Sequence, residues 1–266
     1  MRKLPLQFVF IVASFFVTWL ILSRVDWMDL FNVRENSNRL EEKLGDLYWE
    51  FFNTTEKEIL DHEIVSPLDE LLTVLCTSNK IPRDEIKLHI IKREEINAFA
   101  LPDNHIVVFT GLIRESENEA ELCGVLAHEL AHLELGHLMR KLVREVGLSV
   151  LISMSSGSSS PGMIRQAMQV LTSSAFDRQL ERDADQQAVR YMANSKLQPE
   201  GLANFLYKMS ATENRMPDQL FWLSTHPGGE ERAMDILKEA EKMSIEEEKI
   251  LTTEEWDQLQ EQLETL

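Results

Sequence analysis

His128-Glu129-Leu130-Ala131-His132 is the stretch of this chain whose residue types and spacing can do chemistry. On a helix, residues four apart face the same way from consecutive turns. Two neutral imidazoles so placed can share one zinc ion. Glu129, between them, is rotated round the helix and can reach a water beside that metal, where a carboxylate serves as general base. Seven histidines occur in 266 residues. Chance alone would give such a pattern in roughly one chain of this kind in a hundred, so context must decide.

The context favours a helix. Ser116 followed by Glu119 matches a capping box. Leu122, Val125, Leu126, Leu133 and Leu138 then recur near helical spacing, and the pattern continues past Arg144. A catalytic zinc takes a third protein ligand from elsewhere and keeps one position open. Glu181, in a charged segment downstream, is the best candidate. Asp185 lies four residues on and shares its helix face. One of the two can bind zinc while the other accepts a hydrogen bond from a ligand histidine, fixing the ring.

The elements that must position these groups follow from pattern. Leu40, Leu44, Leu47, Tyr48 and Phe51 form a helical stripe. Ser66-Pro67 suggests the start of a second helix through Leu71, Leu72 and Leu75. Residues 86–91, 96–101 and 105–109 read as three short strands, the last two separated by turn-forming Pro102-Asp103-Asn104. A small antiparallel sheet is expected. Residues 155–162 (SSGSSSPG) read as a flexible loop or lid. A helix is expected from about Ile164 through the Glu181 segment. The fold class is therefore α+β, mostly helical.

Arg2 and Lys3 precede an apolar run from Leu4 to Leu22. Its 19 residues would span roughly 28 Å as a helix, about one hydrocarbon core. No small-x-small site closes the run, so an uncleaved signal anchor is expected, with the remainder across the membrane from the basic flank. The expected organisation is an anchor over 1–26, an amphipathic helical region over 27–64, a catalytic domain over 65–243 and an acidic helical tail over 244–266. Net charge of −18 argues against nucleic-acid binding, which needs a basic patch. Cys76 and Cys123 form no CxxC pair and read as buried free thiols, with a single disulfide as the alternative.

Five segments occur in order: NAFALP (97–102), HIVVFTGL (105–112), HELAHLELGH (128–137), ERDAD (181–185) and STHPGGEER (224–232). Together they resemble the HtpX and BepA group of membrane-associated zinc metallopeptidases, related to CAAX prenyl proteases, over roughly residues 65–240. The resemblance implies one zinc ion per chain, with His128, His132 and Glu181 as ligands. It implies Glu129 as the catalytic glutamate and Asp185 as support for a ligand histidine. His226 matches a histidine that stabilises the oxyanion or binds zinc as a fourth ligand and holds the enzyme latent. Arg232 would order that segment through carboxylates, and His137 would be structural. Asn97, Ala98, Phe99 and Ala100 would form the edge strand that takes up substrate. Asp103-Asn104 stands where the family often has a Gly-rich turn, and Asn tolerates left-handed backbone. The chain looks like a minimal, single-anchor member.

The expected activity is that of a zinc metalloendopeptidase acting on unfolded or extended proteins. Its expected location is the bacterial inner membrane, single-pass, with the catalytic domain in the periplasm. The alternative is a zinc-bearing chaperone or adaptor.

Overall fold

The structure is a computed structural model describing residues 33–156, 160–173, 175–212 and 221–266. The proposed anchor lies outside the described residues, and so does part of the 155–162 loop. No helix among the described residues is long and apolar enough to cross a membrane. The chain divides into two compact units, residues 1–41 and 42–266. The chemistry lies wholly in the second.

Twelve helices and three strands are described: α1 (Val33–Thr55), α2 (His62–Ser78), β1 (Lys87–Ile91), β2 (Ala98–Leu101), β3 (His105–Phe109), α3 (Thr110–Glu115), α4 (Glu119–Glu134), α5 (His137–Glu145), α6 (Leu148–Ser155), α7 (Pro161–Ser173), α8 (Arg178–Asn194), α9 (Glu200–Thr212), α10 (Phe221–Thr225), α11 (Gly229–Ala240) and α12 (Thr253–Glu264). The chain is mostly helical with a small sheet, as expected, but the sheet is mixed rather than antiparallel. Its order is β1-β3-β2, with β1 parallel and β2 antiparallel to β3. The reason is burial. β3 is apolar after His105 and buried at every position, so it takes the middle. A tight turn holds β2 to it, with Asp103 and Asn104 both left-handed (φ 64° and 58°). The chain must therefore leave β1 and return one position further out.

Several helix ends also differ from expectation. α2 starts earlier, capped by Asp61, whose side chain accepts the Glu63 N–H; Pro67 lies inside it. Asn118, not Ser116, caps α4 by accepting the Glu121 N–H at 3.1 Å. The Ser116 hydroxyl instead donates to Leu112 O, closing α3. α4 stops at Glu134 because Gly136 turns left-handed (φ 63°) and redirects the chain into α5. The segment after 164 is two helices, split before Asp177, which caps α8 through the Gln179 N–H.

α4 is the central rod. It packs on α8, α9, α2 and β2, and every residue from Glu121 to His132 is buried. Gly124 makes the crossing with α9 possible, since a Cβ there would lie 2.8 Å from the Leu202 backbone. Cys76 and Cys123 are free and buried. The tail helix α12 opens with a Thr252–Glu255 capping box and buries Leu259 and Leu263, packing on α2 rather than standing free at the surface.

Candidate active site and metal centre

α4, α8 and α10 bring four side chains to one point. His128, His132, Glu181 and His226 are all buried, and each offers a ligand atom within 4.8 Å of the others. His128 Nε2 lies 3.0 Å from His132 Nε2 and 3.3 Å from His226 Nδ1. His226 Nδ1 lies 3.0 Å from Glu181 Oε1, and His132 Nε2 lies 3.3 Å from the same oxygen. Imidazole nitrogens facing one another so closely around a carboxylate form the nitrogen–oxygen donor set that suits zinc.

The outer nitrogens face further side chains. His128 Nδ1 lies 3.1 Å from Asp185 Oδ1. A proton held there leaves the Nε2 lone pair free for a metal. His132 Nδ1 lies 3.0 Å from His137 Nδ1. Spacing places His137 off the ligand face of a continuous helix. The break at Gly136 swings it back against the His132 ring, a contact that periodicity does not foresee. Arg232 grips Asp185 with a two-pronged pair, Nε to Oδ2 and Nη2 to Oδ1, both 2.7 Å. Its Nη1 reaches Glu181 Oε2 at 2.5 Å and donates to His226 O at 3.1 Å. One guanidinium thus ties the carboxylates of α8 to the backbone of the His226 segment.

Charge follows from these contacts. Burial alone would lower His128, but hydrogen bonds to Asp185 and Glu181 outweigh it and hold the ring up at about 9. Burial wins at His132, which is pushed well below its ordinary value. Burial would raise Glu181, yet interactions with His226 and Arg232 hold its carboxyl well below the usual range. Asp185 is likewise lowered against its burial by Arg232. The carboxylates are ready as anions, and a bound metal would displace the proton from His128.

Glu129 stands beside this centre, 1% exposed. Its Oε1 lies 3.4 Å from His226 Nε2, and its Oε2 accepts the Ala100 N–H at 3.2 Å. The segment Asn97 to Ala100 thus borders the site, and β2 is an outer strand of the sheet. Every one of those four residues is buried, and α7 lies against β2. Two further residues escaped the sequence reading. Phe176 packs against the rings of His132 and His226, with centroids 4.2 Å and 5.4 Å away. Its N–H donates to Thr225 O at 2.9 Å, pairing the start of α8 with the His226 segment. Lys141, buried, sits 3.9 Å over the Phe176 ring, and burial lowers its pKa to about 8. Neither belongs to a motif, and both are distant in sequence from what they touch.

A helix carrying two histidines and a glutamate, completed by a carboxylate from a following helix, is the residue arrangement of the HExxH zinc metallopeptidases. Residues 66–240 match peptidase family M48, and the chain belongs to that family. It is similar to the beta-barrel assembly-enhancing protease of Yersinia pestis, 27% identical over 217 residues, which cover 76% of this chain and 44% of that protein. It is also similar to the mitochondrial metalloendopeptidase OMA1 of Schizosaccharomyces pombe (30% identical, 56% of this chain and 45% of the relative). The metalloprotease LoiP of Escherichia coli K12 is 27% identical, over 59% of this chain and 64% of its own length. The chain spans less than half the length of the first of these relatives.

Proposed function

We propose that the protein is a membrane-anchored zinc endopeptidase that hydrolyses peptide bonds in unfolded or extended proteins. The observation that carries this reading is the buried convergence of His128, His132 and Glu181, with Glu129 alongside. Zinc held by those three would supply Lewis-acid polarisation of the scissile carbonyl and lower the pKa of water in the site towards about 7. Glu129 takes a proton from that water and passes it to the leaving amine. Asp185 and Arg232 hold the ligands in register. Substrate backbone adds to the edge of β2 at Asn97 to Ala100, a sequence-tolerant mode suited to unfolded chains. Because β2 is buried here, that addition requires its α7 flank to move aside.

His226 belongs to the same cluster, which makes four candidate ligands where a catalytic zinc usually takes three and keeps one position open. This supports a latent enzyme, in which His226 would fill the position that substrate needs until it is displaced. It also keeps alive a second reading, a zinc-bearing chaperone or adaptor whose site never opens. The apolar run from Leu4 to Leu22 supports a single-pass bacterial inner-membrane protein with its catalytic part, residues 65–243, on the periplasmic side and an acidic tail after it.

The test is zinc content and cleavage of unfolded casein by the full chain, its Glu129→Gln and its His226→Ala variants. Zinc in all three, with cleavage released or raised in His226→Ala and lost in Glu129→Gln, supports the latent peptidase. Zinc without cleavage in His226→Ala favours the binding role. A zinc-free, folded wild-type protein after metal soaking rejects both.

A further inference from the structure

Glu129 has a partner that no motif announces. Its Oε1 accepts the indole Nε1–H of Trp222 at 3.0 Å, while Oε2 takes the Ala100 N–H. Trp222 and Glu129 are each only 1% exposed, so no bulk water substitutes for that donor. The indole is itself fixed from several directions. It stacks on His226 (centroids 4.7 Å, planes 26° apart) and meets Phe205 and His128 edge-on, both at 5.5 Å. Its backbone N–H donates to Ile96 O at 3.2 Å, beside the start of β2. Packing on these faces holds the ring and aims its N–H.

A glutamate needs such aiming. Its side chain has several soft torsions, and a general base works only within hydrogen-bond reach of the proton it takes. A displacement of about 1 Å costs up to roughly 100-fold in rate. A buried carboxylate oxygen that loses a donor is also costly to keep in place. Core filling alone would ask only for a large flat ring at position 222. It would not ask for an N–H pointed at a carboxylate.

We propose that Trp222 is a positioning residue for the hydrolytic reaction, its indole N–H holding the Glu129 carboxylate in the orientation from which it takes its proton. The proposal rests on the reading of Glu129 as general base. It adds a second function to the short α10 turn. That turn carries His226 at its end, with the His226 N–H donating to Trp222 O at 2.8 Å. One turn therefore sets both the fourth candidate ligand and the base.

Two measurements test it on the full chain. First, the indole nitrogens are labelled with 15N; the chain holds five tryptophans, and Trp222→Phe identifies the signal of interest. That signal should shift in Glu129→Ala, which removes the acceptor. An unmoved signal would overturn the contact. Second, Trp222 is replaced by β-(3-benzothienyl)alanine, which keeps the bicyclic shape and puts sulfur in place of the N–H. We expect kcat to fall about 10- to 100-fold, the range for a lost hydrogen bond to a charged group, with KM and zinc content near wild type. If wild type is silent, the isostere and Trp222 are compared with each other in the His226→Ala background, where both lack the His226 stacking and only the N–H differs. Wild-type kcat in the isostere beside a dead Glu129→Gln would sink this proposal and leave the peptidase reading standing. Full activity in Glu129→Gln would sink the base assignment and the positioning role with it. No cleavage in any background, with zinc bound, would reject the peptidase reading while the indole signal still reports the contact.

Discussion

Two places in this molecule bring a pair of histidines into contact, and they are built for opposite ends. At the α4–α8–α10 centre, His128 and His132 place their Nε2 atoms 3.0 Å apart. On the sheet, His89 Nε2 lies 2.9 Å from His105 Nδ1. The first pair converges with a carboxylate and a third imidazole, and further carboxylates and a guanidinium stand behind them. The second pair is a line rather than a cluster. Glu58 Oε1 lies 2.7 Å from His89 Nδ1 at one end, and Lys87 and Asp103 stand near His105 at the other. Trp49 stacks on His89 at 3.5 Å. Only two ring nitrogens face each other there, and each ring's remaining nitrogen points at a different neighbour. Contact between imidazoles does not make a metal site; convergence of several lone pairs on one point does.

The largest effect is expected from Glu129→Gln, which should lower kcat by about 10²- to 10⁴-fold while zinc stays bound, as measured by steady-state cleavage and metal analysis. Next is Glu181→Ala, which removes an anionic donor and leaves Arg232 facing an apolar side chain. Zinc should be lost on dialysis, and retention of a full equivalent would remove Glu181 from the ligand set. Asp185→Asn should weaken zinc by about 10- to 100-fold, read by competition with a chelating dye.

The sheet pair should respond to pH instead. Burial lowers His105 from 6.5 to about 3, and His89 moves the same way. Between those values the unfolded chain binds more protons than the folded one. The His105 contribution is therefore full above about pH 6.5 and drains as pH falls towards 3, by at most about 1.4 kcal/mol per pH unit, and His89 adds to it with the same sign. Thermal unfolding from pH 7 to pH 4 should show this slope, and His105→Phe should flatten it; an equal slope in both proteins would put the acid sensitivity elsewhere. The smallest change is expected from His89→Gln. It should cost about 1–3 kcal/mol by stranding Glu58 and His105, yet leave zinc content untouched.

The difference between the two pairs was only half legible in the residues. The spacing of His128 and His132 on one helix is a local property, so it shows directly in sequence. His89 and His105 sit on different strands, and their meeting depends on the parallel β1–β3 register, Leu88 opposite Ile106 and His89 opposite Val107. That register follows from which strand takes the buried centre, a choice made by the whole sheet. His137 shows the same limit from the other side. Helical periodicity turned it away from the site, and a left-handed Gly136 turned it back.

Residue order thus fixes what lies within a few turns. It specified the HExxH helix, the Glu181–Asp185 helix face, three short strands, a mostly helical α+β chain and the ordered set of segments that marks the family. Local periodicity and turn chemistry act over short distances and leave their signature in adjacent residues. Tertiary packing, by contrast, set which carboxylates Arg232 grips, brought Phe176 against His226, made the sheet mixed and let Trp222 donate to a glutamate 93 residues away. Those contacts depend on how α4, α8 and α10 pack, and no spacing along the chain encodes a distance across a core.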